Sequence, residues 1–109
     1  MKTGKARFMW LMVFFDLPVG SKTERRNATR FRNFLKKDGF LMLQFSVYAR
    51  ICRAEEGMDK HLGRVKSNLP PKGSVRTINV TDKQYARMKL LVGDSKKSEK
   101  KASEQLVLL

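Results

Sequence analysis

Apolar and polar positions fall into short blocks along the chain, each long enough for one strand or one helix. The first block is an unbroken apolar run of eight residues, Phe8 to Phe15, which ends at Asp16-Leu17-Pro18. Lys2, Lys5 and Arg7 precede it, as in a signal peptide, but no small-residue cleavage site follows. A membrane-spanning helix would need about 20 apolar residues. The run therefore reads as a strand buried on both faces, at the centre of a sheet.

After a loop with Pro18 and Gly20, a helix of about four turns opens at Thr23 and closes at Gly39. At helical spacing Ala28, Phe31, Phe34 and Leu35 share one face. Arg26, Arg30, Asn33 and Lys37 share the opposite face, flanked by Arg25, Arg32 and Lys36. Phe40 to Cys52 alternates as two strands, or as one strand broken by a bend. Phe45, Val47, Ala49 and Ile51 point one way, and Ser46, Tyr48, Arg50 and Cys52 the other. A second helix follows Glu55-Glu56, with Met58, Leu62, Val65 and Leu69 as its stripe, and Pro70-Pro71 stops it. Gly73 begins another strand, in which Arg76, Ile78 and Val80 alternate with Val75, Thr77 and Asn79. Thr81 and Gln84 have capping-box spacing for one or two turns over Asp82 to Arg87. Met88 to Val92 reads as a short apolar strand closed by Gly93-Asp94.

This order predicts an α+β fold: a ferredoxin-like βαββαβ sandwich, both helices on one face of the sheet, with an additional C-terminal strand. The expected division is a ferredoxin-like domain over 1–93 and a tail over 94–109. The tail joins a Lys-, Ser- and Glu-rich linker to Gln105-Leu106-Val107-Leu108-Leu109. Leu106, Val107, Leu108 and Leu109 are expected to form a strand that docks on a sheet edge of a partner.

Composition sharpens the choice of partner. A chain of 109 residues holds one compact domain, and 24 basic against 10 acidic side chains leave a net charge of +14. A polyanion is the expected partner. From Lys22 to Lys37 there are seven basic residues and one acid, so Arg25, Arg26, Arg30, Arg32, Lys36 and Lys37 are candidates for phosphate-backbone binding. The plainer alternative is a solvated face that keeps the protein soluble. One cysteine, Cys52, excludes an intramolecular disulfide, and one histidine, His61, excludes a closed Cys/His zinc site within the chain. Cys52 reads as a small buried hydrophobe and His61 as structural or solvent-exposed. The glycines form neither a dinucleotide fingerprint nor a phosphate loop. With no secretory or membrane segment, a cytoplasmic location is expected.

Asp16 is the acid with the strongest claim to chemistry. It emerges at the end of an apolar strand beside a Pro- and Gly-containing loop. It can cap that loop by accepting backbone N–H groups, or it can hold a divalent ion. Ser46 is either an accessory hydroxyl or an ordinary sheet residue.

Four segments carry a resemblance. Phe14-Phe15-Asp16-Leu17-Pro18 ends the first strand, and an Arg-rich helix closes with Phe34-Leu35-Lys36-Lys37-Asp38-Gly39. Gln44-Phe45-Ser46-Val47-Tyr48 and Thr81-Asp82-Lys83-Gln84-Tyr85-Ala86-Arg87-Met88 follow. Singly each is unspecific. In this order, on these elements, they resemble CRISPR-associated protein two, the small subunit of the prokaryotic spacer-acquisition complex, in its type II form. The resemblance covers essentially the whole chain, including the apolar terminus.

It implies a two-fold homodimer in which late strands extend the partner's sheet, and a metal site at Asp16. It implies metal-dependent cleavage of single-stranded RNA or double-stranded DNA, and a role as the dimeric core between integrase dimers of CRISPR-associated protein one. Many relatives carry Tyr where this chain has Phe15, so any role of that hydroxyl is absent. One protomer offers no clear second carboxylate. In a two-fold dimer a residue near the axis meets its own copy, so one Mg²⁺ shared by Asp16 of both protomers is the expected cofactor.

Three function classes follow: a nuclease with Asp16 and Ser46 at its site, a DNA-binding scaffold without chemistry, and a ferredoxin-like RNA-binding protein. The last needs an RNP-like run of Gly and aromatics on its third strand, which Gln44 to Arg50 is not.

Overall fold

The apolar run becomes β1 (Phe8–Asp16), and a sheet builds outward from it on both sides in a computed structural model that describes residues 7–93. On one side β1 pairs with β3 (Val47–Arg53), which pairs with β2 (Leu41–Gln44). On the other side it pairs with β4 (Ser74–Thr81), giving the order β2-β3-β1-β4 with every pair antiparallel. A strand flanked on both sides, with helices on one face and a smaller apolar cluster on part of the other, has little solvent-facing surface, so it tolerates a continuous apolar run. With α1 (Lys22–Lys37) and α2 (Ala54–Lys66) this is the ferredoxin-like α+β arrangement.

Alternation along β1 sorts the core into two layers. Leu11, Val13 and Phe15 face the helices with Tyr48 and Cys52 of β3, against Phe31 and Leu35 of α1 and Met58 and Val65 of α2. Phe15 and Phe31 meet edge to face, with ring centroids 5.2 Å apart. Trp10, Met12 and Ala49 lie on the other side, bordered by Leu41, Leu43, Val47, Ile51 and Val80. A short helix, α3 (Asp82–Ala86), folds over one end of that side and stacks Tyr85 on Trp10 at 3.8 Å. The rest is open. Phe14 and the β4 residue Ile78 remain 36% and 51% exposed there.

Local chemistry sets the ends of the elements. Ser21, two residues before the expected start, caps α1: its hydroxyl accepts from the Glu24 N–H at 3.1 Å, and Glu24 accepts from the Ser21 N–H at 3.0 Å. Such a box is worth about 1 kcal/mol. The expected Thr81–Gln84 box forms in the same way, at 3.1 and 2.9 Å. The bend within Phe40 to Cys52 is a two-residue turn, Phe45-Ser46, so two strands form.

Two expectations need correction. First, α2 stops at Lys66, before Pro70-Pro71, and Leu69 is 50% exposed. The Ser67 hydroxyl and the Asn68 amide donate to the carbonyls of Gly63 and Arg64, ending the helix one turn earlier. The buried stripe is Met58, His61 and Val65. Second, the additional strand at Met88 to Val92 does not form within this protomer, and Leu91 and Val92 stay 87% and 90% exposed. Apolar spacing encodes a capacity to pair, but a strand needs a neighbouring ladder. The tail with Leu106, Val107, Leu108 and Leu109 lies outside the described residues.

Candidate active site and nucleic-acid surface

Asp16 closes β1 as an exposed residue, paired in register with Ser74, on the same alternation as Trp10, Met12 and Phe14. The loop it was poised to cap is held by another acid: the N–H groups of Gly20 and Ser21 both donate to Glu24 Oε1, each at 3.0 Å. Among the described residues the Asp16 carboxylate has no hydrogen-bond or ion-pair partner. Its backbone, by contrast, is tightly framed. Gly73 adopts φ +100°, and a Cβ there would sit 2.7 Å from the Asp16 carbonyl oxygen and 2.8 Å from Leu17 Cδ2. Only glycine lets the start of β4 press so closely on the strand end.

Ser46 reaches the same end of the sheet. Its carbonyl accepts from the Phe15 N–H at 3.0 Å, so the β2–β3 turn abuts the last residues of β1. The described residues include no group of three or more His, Cys, Asp or Glu able to enclose a metal. A free carboxylate does suit Mg²⁺, which commonly takes one or two carboxylates and completes its octahedron with water and phosphate oxygens. The donor set of one protomer fits half of such a site.

The basic residues of α1 divide into two groups. Arg25, Arg26 and Arg30 line a shallow open groove of about 500 Å³ with Lys22, Thr29 and Asn33. Lys36 and Lys37 are exposed in the last turn. Arg25 Nη1 also donates to the Val19 carbonyl at 3.2 Å. Arg32 behaves differently: its guanidinium lies 3.6 Å from the ring centroid of Phe45, and its Nε donates to the Phe45 carbonyl at 3.2 Å. It bridges the helix to the hairpin turn. The groove faces away from the sheet, because Ala28, Phe31 and Leu35 bury the opposite side of α1.

Sequence reasoning missed a buried polar cluster. Asp38, at the C-terminal end of α1, accepts from Arg64 at 2.8 Å and pairs with His61 at 2.8 Å. His61 is therefore structural, the first of its two sequence readings. Its only local signal was a place three residues after Met58, on the buried stripe. Burial pushes the Cys52 thiol up, against the opposing influence of Arg50, as befits an inert hydrophobe. Burial likewise raises the Tyr48 hydroxyl, whose oxygen has no hydrogen-bond partner among the described residues. No described helix is long and apolar enough to cross a membrane.

A family model described as CRISPR associated protein Cas2 matches residues 9–88. A protein of Acidovorax ebreus named CRISPR-associated endoribonuclease Cas2 is 52% identical over 101 residues, covering 93% of this chain and 99% of that protein. Proteins of the same name from Campylobacter jejuni and Flavobacterium psychrophilum are 44% and 41% identical. The first alignment covers 90% of this chain and 68% of the relative, the second 94% and 89%.

Proposed function

Because the chain belongs to the CRISPR associated protein Cas2 family, we propose that it is a metal-dependent endonuclease that also serves as the dimeric core of spacer acquisition. The observation that carries the reading is Asp16: an exposed carboxylate without a structural partner, at the end of the central strand, on the face of the sheet that no long helix covers. Phe14 and Ile78 leave apolar surface on that face, and a second copy of the chain is its proposed cover. In the proposed two-fold pairing, the Asp16 carboxylates of both copies would together hold one Mg²⁺, which would supply polarisation of a phosphodiester and acidification of a coordinated water. Asp16 would hold the ion, Gly73 and the Phe15–Ser46 hydrogen bond frame the backbone at Asp16, and the Ser46 hydroxyl is proposed as an accessory group. Substrates in this reading are single-stranded RNA or double-stranded DNA. The endoribonuclease name of the relatives favours RNA for the chemistry.

The basic outer side of α1 supports the second half of the reading, binding of duplex DNA while two integrase dimers of CRISPR-associated protein one are bridged. Leu106, Val107, Leu108 and Leu109 are proposed to dock that integrase. A catalytically silent scaffold is the competing reading, favoured by the placement of this surface on the side of the protomer away from Asp16. The deciding experiment compares Mg²⁺-dependent cleavage of both substrates by the native protein and Asp16→Asn, with sedimentation reporting the dimer. The nuclease reading requires cleavage that EDTA and the substitution both abolish. Equal cleavage by the purified variant would overturn it.

A further inference from the structure

Phe45 stands at the tip of the β2–β3 turn, 65% exposed, an expensive place for a phenyl ring. The guanidinium of Arg32 covers one of its faces at 3.6 Å and anchors the turn through the Phe45 carbonyl at 3.2 Å. Arg32 also lies over Phe15, 5.3 Å from its centroid, so the stack reaches back to the residue before Asp16. A ring held flat on one side and open on the other is a preorganised stacking surface. Its surroundings are cationic. At helical spacing Arg25, Arg32 and Lys36 form one stripe of α1, separated along its axis by about 10 Å and about 6 Å at 1.5 Å per residue.

We infer that Phe45, backed by Arg32, is a stacking platform for one nucleobase of a single-stranded nucleic acid, and that Arg25 and Lys36 track the phosphates beside it. A cationic track combined with an aromatic face is how single strands are held without sequence preference. A duplex hides its base faces, so the platform discriminates single strands from double strands. The Phe15–Ser46 hydrogen bond puts the turn beside the last residues of β1, the strand that Asp16 closes. This inference deepens the nuclease reading by supplying its single-strand subsite, and it rests on that reading.

Binding measured by fluorescence anisotropy in EDTA, which suppresses cleavage, tests it with a short uridine-rich RNA, the matching DNA single strand and an unrelated duplex. Phe45→Leu should weaken both single strands about tenfold and leave the duplex unchanged. Phe45→Trp should restore single-strand affinity, with indole fluorescence quenched on binding. A clamp that only pins α1 to the hairpin predicts another pattern: a lower melting temperature for Phe45→Leu, with single-strand affinity intact. That pattern, or an equal loss for single strands and duplex, overturns the platform. If native protein cleaves RNA while Phe45→Leu binds it normally, the platform falls and the nuclease reading stands. If native protein binds single strands through Phe45 but never cleaves them, the reverse holds.

Discussion

His61 Nδ1 lies 2.8 Å from Asp38 Oδ2, and this pair, 23 positions apart in sequence, ties the end of α1 to the middle of α2. Each side chain is 8% exposed. Arg64 engages the other Asp38 oxygen at 2.8 Å. Arg50 of β3 donates to the Asp38 backbone carbonyl and, at 3.0 Å, to that of Ile51. Gly39 makes room for this reach: it adopts φ +91°, and a Cβ there would sit 2.7 Å from Arg50 Nη1. One carboxylate thus joins two helices, and its backbone carbonyl brings in a strand.

The pair has an acid limit. Burial alone would raise Asp38, but the hydrogen bonds from His61 and Arg64 and their charges outweigh it and hold the carboxyl below its ordinary 3.8. A depressed carboxylate contributes stability that is fully present above the unfolded-state pKa and is lost as pH falls through the folded-state value. Its contribution in urea unfolding should be level at neutral pH and decline below about pH 4. Asp38→Asn should cost about 3 kcal/mol at neutral pH and shrink that acid-side decline.

Two glycines should respond oppositely to alanine. Gly73→Ala forces a side chain into φ +100° and toward the Asp16 carbonyl at 2.7 Å, where the obstacle is backbone. A loss of about 1–2 kcal/mol is expected, with reduced cleavage although Asp16 is intact. Gly63→Ala on α2 meets nothing within 4 Å and should add about 0.5–1 kcal/mol by helix propensity. Thermal melts and a cleavage assay on both variants separate the two effects.

Charge reversal on α1 tests the duplex surface. Arg26→Glu, Arg30→Glu and Lys37→Glu should each weaken binding of unrelated duplexes to a similar degree. Every DNA phosphate that is no longer neutralised should flatten the log–log salt dependence by about 0.9. An unchanged slope would mark the face as merely solvated.

Asp16→Asn separates chemistry from assembly. The substitution keeps the shape of the side chain and removes the charge an ion needs, twice in a symmetric dimer. Cleavage should disappear while dimerisation, duplex binding and integration by the assembled complex continue. Failed integration by an intact assembly would show that Asp16 acts in acquisition itself.

The fold was legible wherever a local pattern carried it. Alternation placed Tyr48 and Cys52 toward the helices and Ala49 and Ile51 away from them, and the Thr81–Gln84 spacing alone marked α3. Asp16 stood out because a charge ending an apolar run is a local event. The Asp38–His61–Arg64 cluster left no such mark, since its members meet only after the helices pack. Arg32 looked like its cationic neighbours on the wheel, and only the hairpin turn separates it from them. The segment from Met88 to Val92 is the opposite case, an apolar pattern for which this protomer supplies no ladder.

A two-layer sandwich has two outward sides, and here they carry opposite hazards for nucleic acid. The groove of α1 looks out from the helix layer, whereas Asp16 belongs to the alternation of the bare sheet face. On the proposed reading, a rigid duplex lying along the helix would occupy the layer opposite its own protomer's carboxylate. Cargo and blade would then be kept apart by the fold itself. A fragment destined for keeping would be shielded by position.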